Sequence, residues 1–229
     1  EEASRIRDIA AKSSRAVIIG AGFIGLEVAA SLRKLGLEVT VLELAPRVLA
    51  RVTSPEVSNY FARLHRANGV DLRTGVSASA IVESGAELQV QCSDGDTIAG
   101  DFVVLGAGAV ANASLAADAG LEVDNGVRVN GFNCTSDPDI YAIGDCCNQF
   151  HPLYQRNFRL ESVQNAMDQA KTVAAALNGN PVAHQALPWF WSDQYDVKIQ
   201  IAGMSADYDT VVIRGNPDAD ASFSAWYFK

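Results

Sequence analysis

An α/β fold built on a parallel sheet is the prediction for this chain of 229 residues, and three observations support it. The apolar, mostly β-branched run Ala16–Ile19 is followed by a glycine-rich turn and by an apolar-periodic helix that extends to about Lys34. A second strand-like run, Leu37–Glu43, comes directly after that helix, and a third, Phe102–Leu105, reads as another buried strand. Strands that alternate with helices are typical of a parallel sheet.

The glycine-rich turn has the spacing G-x-G-x-x-G, with Gly20, Gly22 and Gly25 at its three glycine positions. Gly20 permits the tight turn, Gly22 leaves no side chain between the backbone and a ligand, and Gly25 lets the helix pack closely on the strand. The start of the helix offers amide groups and a positive dipole end to a pyrophosphate. We therefore predict that a dinucleotide is bound by Gly20, Gly22, Phe23, Ile24 and Gly25. A glycine turn that serves packing alone is the alternative.

Glu43 ends the second strand-like run, at the position where a dinucleotide-binding fold presents a carboxylate to the 2′-hydroxyl of the adenosine ribose. A carboxylate at that position repels a 2′-phosphate, so the residue favours NADH over NADPH. Arg47 and Arg51 follow closely in the sequence and leave NADPH open as the alternative.

Two further features are a set of β-like pieces before the third predicted strand and a glycine pair directly after it. Three β-like pieces near residues 76–83, 87–92 and 97–98 predict an antiparallel meander, where a simpler unit has a crossover helix. Gly106 and Gly108 follow the third strand. Because ligands bind at the carboxyl ends of strands in such sheets, we expect this second glycine pair to approach the nicotinamide end of the dinucleotide. A plain strand-to-helix turn is the alternative.

Composition excludes several classes of function. The 18 basic and 27 acidic residues give a net charge of −9, which argues against a nucleic acid or an anionic membrane as the main partner. The sequence contains no apolar run long enough to span a bilayer and no recognisable signal peptide. The four cysteines lack C-x-x-C spacing and lack histidine pairing, so we expect reduced thiols in a cytoplasmic protein and no metal site.

The remainder of the chain changes character after about residue 123. Val127–Val129 and Ile140–Ile143 read as short strands, and the second leads into Asp145, whose carboxylate could accept hydrogen bonds from a sugar-like hydroxyl. A helix is predicted over about residues 162–177, with one apolar face. From residue 188 onwards, an aromatic cluster precedes three strand-like runs, Val197–Ala202, Thr210–Ile213 and Phe223–Phe228.

Three motifs together resemble one known family. They are the glycine-rich stretch Gly20–Ala30, the stretch Thr135–Cys146 and the aromatic stretch Pro188–Tyr195. These residues resemble the FAD-dependent pyridine-nucleotide ferredoxin reductases, and the similarity extends over essentially the whole chain. The resemblance implies an α/β fold with three parts. These are a Rossmann-like NAD(P)-binding domain with a three-stranded β-meander (1–123), part of an FAD-binding domain (124–187) and an incomplete antiparallel α+β C-terminal domain (188–229).

The resemblance also implies roles for individual residues. Asp145 matches the aspartate that binds the ribityl chain of the flavin, and Ser162 and Val163 open a helix that points at its pyrimidine end. Glu27 matches a glutamate near the nicotinamide. Ala111 stands where the family usually has proline. The first part of the FAD domain, with its own glycine fingerprint, has no counterpart in this sequence, so we expect the chain to be part of a longer protein.

The function implied by the resemblance is electron transfer. NADH reduces FAD by hydride transfer, and electrons then pass singly to a small iron–sulfur or rubredoxin-like protein. The cofactors perform the difficult chemistry, and the protein orients and tunes them. The alternative is a flavin-free module that binds NADH and transfers no electrons.

Overall fold

The computed structural model describes residues 2–85, 87–219 and 222–229. The chain divides into two units. The first comprises the chain up to Gly108 together with Ser192–Lys198 and Ser205–Lys229, and the second comprises Ala109–Trp191 and Ile199–Met204. The division into three parts at residues 123 and 187 stays a prediction.

The helices are α1 (Glu2–Ala10), α2 (Phe23–Lys34), α3 (Pro55–Ala67), α4 (Ser114–Asp118) and α5 (Val163–Leu177). The strands are β1 (Arg15–Ile19), β2 (Glu38–Glu43), β3 (Val70–Thr74), β4 (Ala78–Ser84), β5 (Glu87–Cys92), β6 (Thr97–Gly100), β7 (Phe102–Leu105), β8 (Val127–Val129), β9 (Cys147–His151), β10 (Arg156–Phe158), β11 (Trp189–Gln194), β12 (Val197–Ala202), β13 (Thr210–Arg214) and β14 (Ser224–Phe228).

The parallel sheet of the first unit has the strand order β3-β2-β1-β7, which confirms the predicted fold class. The helix α2 follows β1, and its buried residues Leu26, Ala29 and Ala30 have the i, i+3, i+4 spacing of one helix face. The order β2-β1-β7 places the ends of β1 and β7 side by side, so that the loops after these strands meet at the same edge of the sheet.

The predicted meander is present as the antiparallel sheet β4-β5-β6. It packs on the parallel sheet through one apolar cluster, in which Val17 and Leu42 of the parallel sheet join Val90 and Cys92 of β5. Each of these side chains is at most 6% exposed. Because full burial of a Val or Leu side chain contributes about 1.5–3 kcal/mol, the meander is an integral layer of this unit.

The second unit contains the sheet β10-β9-β8, in which β8 and β9 are parallel. The prediction of a strand at Ile140–Ile143 was wrong. This segment makes a single bridge, between Tyr141 and Cys134, and turns back on the residues just before it through hydrogen bonds such as that from the Ala142 amide to the Asn133 carbonyl. The ladder strand is β9 instead, so Asp145 precedes a strand rather than ending one.

The helix α5 is present at the predicted position, and its polar face is the buried one. Asn165, Gln169 and Thr172 are buried, whereas Val163 and Met167 on the apolar face are 59% and 53% exposed. Gln169 explains this orientation, because its side chain accepts a hydrogen bond from the Gly144 amide at 2.7 Å and donates one to Gln149 at 3.2 Å. In α5, the hydrogen bonds of Gln169 explain why the polar face is buried, which apolar periodicity alone does not predict.

The C-terminal antiparallel strands were predicted at β12, β13 and β14, and all three are present. The aromatic cluster adds a strand that the sequence had not indicated, since Trp189–Gln194 forms β11 and pairs with β12. The strands β13 and β14 pair with each other in an antiparallel hairpin.

Candidate functional site

The loop between β1 and α2 is held closed by its own backbone. Gly20 has φ +105°, and a Cβ there would collide with the carbonyl oxygen of Gly106. A Cβ at Gly25 would collide with the carbonyl oxygen of Gly20. Both positions therefore require glycine on steric grounds, as the spacing had predicted.

Gly22 differs from these two glycines in a way that points to a ligand. Its φ of −77° is accessible to any residue, and a Cβ at this position would meet no atom within 4 Å. The fold itself therefore has no need for glycine here. Gly22 is also the N-cap of α2, and no side chain caps this helix. The loop thus leaves open space in front of a helix start, with Phe23, Ile24 and Gly25 in its first turn.

Glu43 lies beside this loop, where its carboxylate joins the end of β2 to the glycine turn. One carboxylate oxygen accepts a hydrogen bond from the Ala21 amide at 2.7 Å, and the other accepts one from the Ala45 amide at 2.7 Å. Carboxylate oxygens have two acceptor sites each, so this arrangement leaves capacity for a ribose hydroxyl. Sequence spacing indicated the location of Glu43 and gave no sign of its two backbone partners.

Arg47, which the sequence left as a possible phosphate ligand, is occupied by other groups. Its guanidinium donates to the carbonyl oxygens of Thr53 and Ala50, both at 2.8 Å, and to the hydroxyl of Ser58. These contacts fix the segment that follows β2. Arg51 lies in the same segment and is exposed.

The second glycine pair lies against the first loop. The Gly106 amide donates to the Ile19 carbonyl at 2.7 Å, and the Gly106 carbonyl faces Gly20. Gly108 has φ +111° and open space at its Cβ position. The structure therefore brings both glycine motifs to one edge of the parallel sheet, where the carboxyl ends of β1 and β7 meet.

Glu27 lies in the first half of α2 and is half-buried. It accepts a hydrogen bond of 2.5 Å from the hydroxyl of Ser192, which is 165 positions away in the sequence. The Ser192 hydroxyl accepts a hydrogen bond from the side-chain amide of Gln194, and the side-chain oxygen of Gln194 is hydrogen-bonded to buried His65. Sequence reasoning missed these three residues, and the one available signal was that Ser192 and Gln194 occupy alternate positions of a strand, on one face.

Burial shifts the pKa of three side chains that bear on the two candidate sites or lie near them. Burial lowers the pKa of His65, which keeps its imidazole neutral at physiological pH. Burial likewise raises the pKa of Tyr195 to about 12. In the second unit, burial raises the pKa of Cys147 to about 11, so this residue is a neutral thiol at pH 7 and a poor nucleophile.

The second unit contains a cleft of about 650 Å³. It brings together three predicted site residues, Asp145, Ser162 and Val163. The other residues that line it are Glu161, Ala166, Met167, Ala170, Phe190 and Trp191. Ser162 is the N-cap of α5, and its hydroxyl accepts a hydrogen bond from the Asn165 amide at 3.2 Å. The cleft therefore combines a helix start, an exposed carboxylate and an apolar, partly aromatic wall.

The described residues contain no group of three or more His, Cys, Asp or Glu side chains that could hold a metal ion. Within the same residues, no helix is both long enough and apolar enough to cross a membrane. All four cysteines are free.

Comparison with known proteins yields two family matches and close relatives. The model of the pyridine nucleotide-disulphide oxidoreductase family matches residues 1–170, and a reductase C-terminal model matches residues 189–229. Putidaredoxin reductase CamA of Pseudomonas putida is 44% identical over 232 aligned positions, which cover 100% of this chain and 55% of that protein. The chain thus spans about half of the length of the curated relatives that it matches.

Two solved structures have the same fold. The ferredoxin reductase for the CYP199A2 system of Rhodopseudomonas palustris is 48% identical and superposes with a TM-score of 0.96, over 100% of this chain and 56% of that one. The covalent putidaredoxin reductase–putidaredoxin complex gives a TM-score of 0.90 at 44% identity, over 94% of this chain and 52% of that one. From the family match and the shared fold, we conclude that the chain belongs to the pyridine nucleotide-disulphide oxidoreductase family.

Proposed function

We propose that this chain carries the NADH-binding half of an FAD-dependent NADH:ferredoxin oxidoreductase. The observation that supports this most strongly is the open space in front of Gly22, at a loop whose other two glycines are required by the fold. A glycine that packing and backbone strain leave unexplained is best explained by a ligand that approaches the backbone. A pyrophosphate fits this position, next to the start of α2.

The roles of the other residues in the first unit follow from this placement. Glu43 accepts from the adenosine ribose with the acceptor sites that its backbone partners leave. Its negative charge disfavours a 2′-phosphate, so NADH is preferred to NADPH. Gly106 and Gly108 give the nicotinamide end a close approach to the backbone, and Glu27 faces that end.

FAD fits the cleft of the second unit by its chemistry. Asp145 supplies an acceptor for the hydroxyls of the ribityl chain, and the start of α5 at Ser162 and Val163 supplies a positive dipole end for the electron-rich edge of the flavin ring. Trp191 and Phe190 add an aromatic wall. When bound, FAD accepts two electrons as a hydride and releases them one at a time. The chain's own residues hold and orient the cofactor.

The electron acceptor that we propose is a small iron–sulfur or rubredoxin-like protein. This is supported by the relatives, of which one was solved in a covalent complex with putidaredoxin and another is described as the ferredoxin reductase of the CYP199A2 system. We propose a cytoplasmic location, in keeping with four free cysteines.

A flavin-free NADH-binding module is the second candidate. It is favoured by one observation, the exposure of Val163 and Met167, which lie in the cleft and remain more than half accessible. The family relatives favour the reductase.

One experiment tests the proposal and separates the two candidates. The purified chain is titrated with NADH by calorimetry, and its absorption spectrum is recorded after FAD has been added and the unbound FAD removed. The Gly22→Ala variant should keep its stability, because the new Cβ enters open space, and should lose at least about tenfold in NADH affinity, about 1.4 kcal/mol. Retained flavin absorption favours the reductase, and a colourless protein that binds NADH favours the module.

Gly131→Ala is the matched control, since a Cβ there makes only an ordinary contact with Ala183. This variant should leave NADH affinity unchanged. If Gly22→Ala binds NADH as tightly as the natural sequence does, the assignment of the pyrophosphate to this loop is wrong.

A further inference from the structure

A buried chain of polar side chains in the first unit ends at Glu27. Ser192, Gln194 and His65 are 1%, 0% and 0% exposed. The hydroxyl of Ser192 lies 2.5 Å from a Glu27 carboxylate oxygen and 3.1 Å from Nε2 of Gln194. Oε1 of Gln194 lies 2.8 Å from Nε2 of His65, and Nδ1 of His65 lies 3.4 Å from the hydroxyl of Tyr195.

The donor and the acceptor of every hydrogen bond in this network can be assigned by starting from the Glu27 carboxylate. An ionised carboxylate only accepts, so the Ser192 hydroxyl donates to Glu27 and accepts from the amide nitrogen of Gln194. The carbonyl oxygen of Gln194 then faces His65, and Nε2 of that imidazole must donate. Nδ1 carries no proton and accepts from Tyr195. All four donors therefore point towards Glu27.

This arrangement orients Glu27 and does not conduct protons. A proton relay requires groups that give and take a proton easily, and the amide of Gln194 stands in the middle of the chain. A continuous run of hydrogen bonds with one direction strengthens its members, and the last one, between a hydroxyl and a carboxylate, is charge-assisted. Its length of 2.5 Å belongs to the short class of such bonds.

Burial of these three polar side chains costs desolvation free energy, which apolar side chains at the same positions would avoid. A buried network whose members are all hydrogen-bonded holds its side chains rigidly in one arrangement. Glu27 lies on α2, two residues beyond the last glycine of the dinucleotide loop. These hydrogen bonds thus connect β11, late in the sequence, to α2, whose first turn belongs to the candidate NADH site.

We propose that Ser192 and Gln194, supported by His65, are positioning residues that hold the Glu27 carboxylate in place for the nicotinamide end of NADH. The inference rests on the function proposed above, and it adds Ser192, 165 positions away from Glu27, to the specificity of that site. Ser192 touches Glu27 directly, and the effect of the other two passes through it.

The test compares two probes, NADH and ADP-ribose, which lacks the nicotinamide. Ser192→Ala removes the donor to Glu27 and should raise the Kd for NADH about fivefold while leaving the Kd for ADP-ribose unchanged. Ser192→Thr keeps the hydroxyl and should restore NADH affinity. Ser192→Cys, close in size and with a weak donor, provides a second variant if the alanine protein does not fold.

Asp193→Ala is the matched control on the same strand, because its carboxylate pairs with Lys198 at the surface, where both side chains are more than half exposed. This variant should bind both probes normally. In a Glu27→Ala background, Ser192→Ala should add no further loss of NADH affinity, since its effect passes through the carboxylate.

Equal weakening of both probes in Ser192→Ala, or no weakening of either, overturns the positioning role and leaves the dinucleotide site standing. A natural chain that binds neither probe overturns the proposed function and this inference with it. Additive losses in the double variant also contradict the proposal, because Ser192 would then act independently of Glu27.

Discussion

The glycine loop of the first unit is formed by backbone atoms, and the cleft of the second unit is formed by side chains. Backbone atoms close the loop, with Gly20 against Gly106 and Gly25 against Gly20, and Glu43 ties it through two amides. Side chains line the cleft, and its apolar members remain more than half exposed at Val163 and Met167. At Gly20 and Gly25 the backbone contacts leave no room for an added Cβ, whereas exposed side chains in the cleft can be substituted with a gradual loss of affinity.

The largest expected effect comes from adding one methyl group to the loop. In Gly25→Ala, the Cβ would overlap the carbonyl oxygen of Gly20, a backbone atom that cannot rotate away. We expect the free energy of unfolding to fall by about 3 kcal/mol or more, with loss of NADH binding. Urea unfolding followed by circular dichroism measures the change. Native stability in this variant would show that the loop is looser than the structure indicates.

A smaller effect is expected where the loop meets the ligand through a side chain. Glu43→Arg should weaken NADH binding about tenfold and improve NADPH binding, because the sign of the charge at the ribose is reversed. Glu43→Gln is the control, since it removes the charge without adding a cation and should not favour NADPH. Calorimetric titration with both nucleotides measures the two affinities. Equal affinities before and after the change would contradict the ribose assignment.

The smallest effect is expected in the cleft. Asp145→Ala, in a chain that carries the whole FAD-binding domain, should lower FAD occupancy roughly threefold, in keeping with the loss of about one net hydrogen bond. Asp145 is exposed, so stability and NADH affinity should stay unchanged. The ratio of flavin to protein absorbance in the purified sample measures occupancy. Full occupancy would exclude Asp145 as a flavin ligand.

The features that the sequence predicted well are those that local spacing encodes. The glycine loop, the helix α2 and the meander follow from turn residues and periodicity within short windows, and all are present. Ile140–Ile143 misled because an apolar run shows that a segment is extended and says nothing about a pairing partner. The link between Ser192 and Glu27 could not be predicted, because no local pattern records which distant side chains meet.

The anchoring of Arg47 limits how the cofactor preference of this chain could be re-engineered. Its guanidinium already donates hydrogen bonds to three groups that follow β2. Moving it to a 2′-phosphate would break these bonds and destabilise that segment. A designer who wants an NADPH-dependent version would do better to place the cation at position 43 itself, as in Glu43→Arg, and to leave the hydrogen bonds of Arg47 intact.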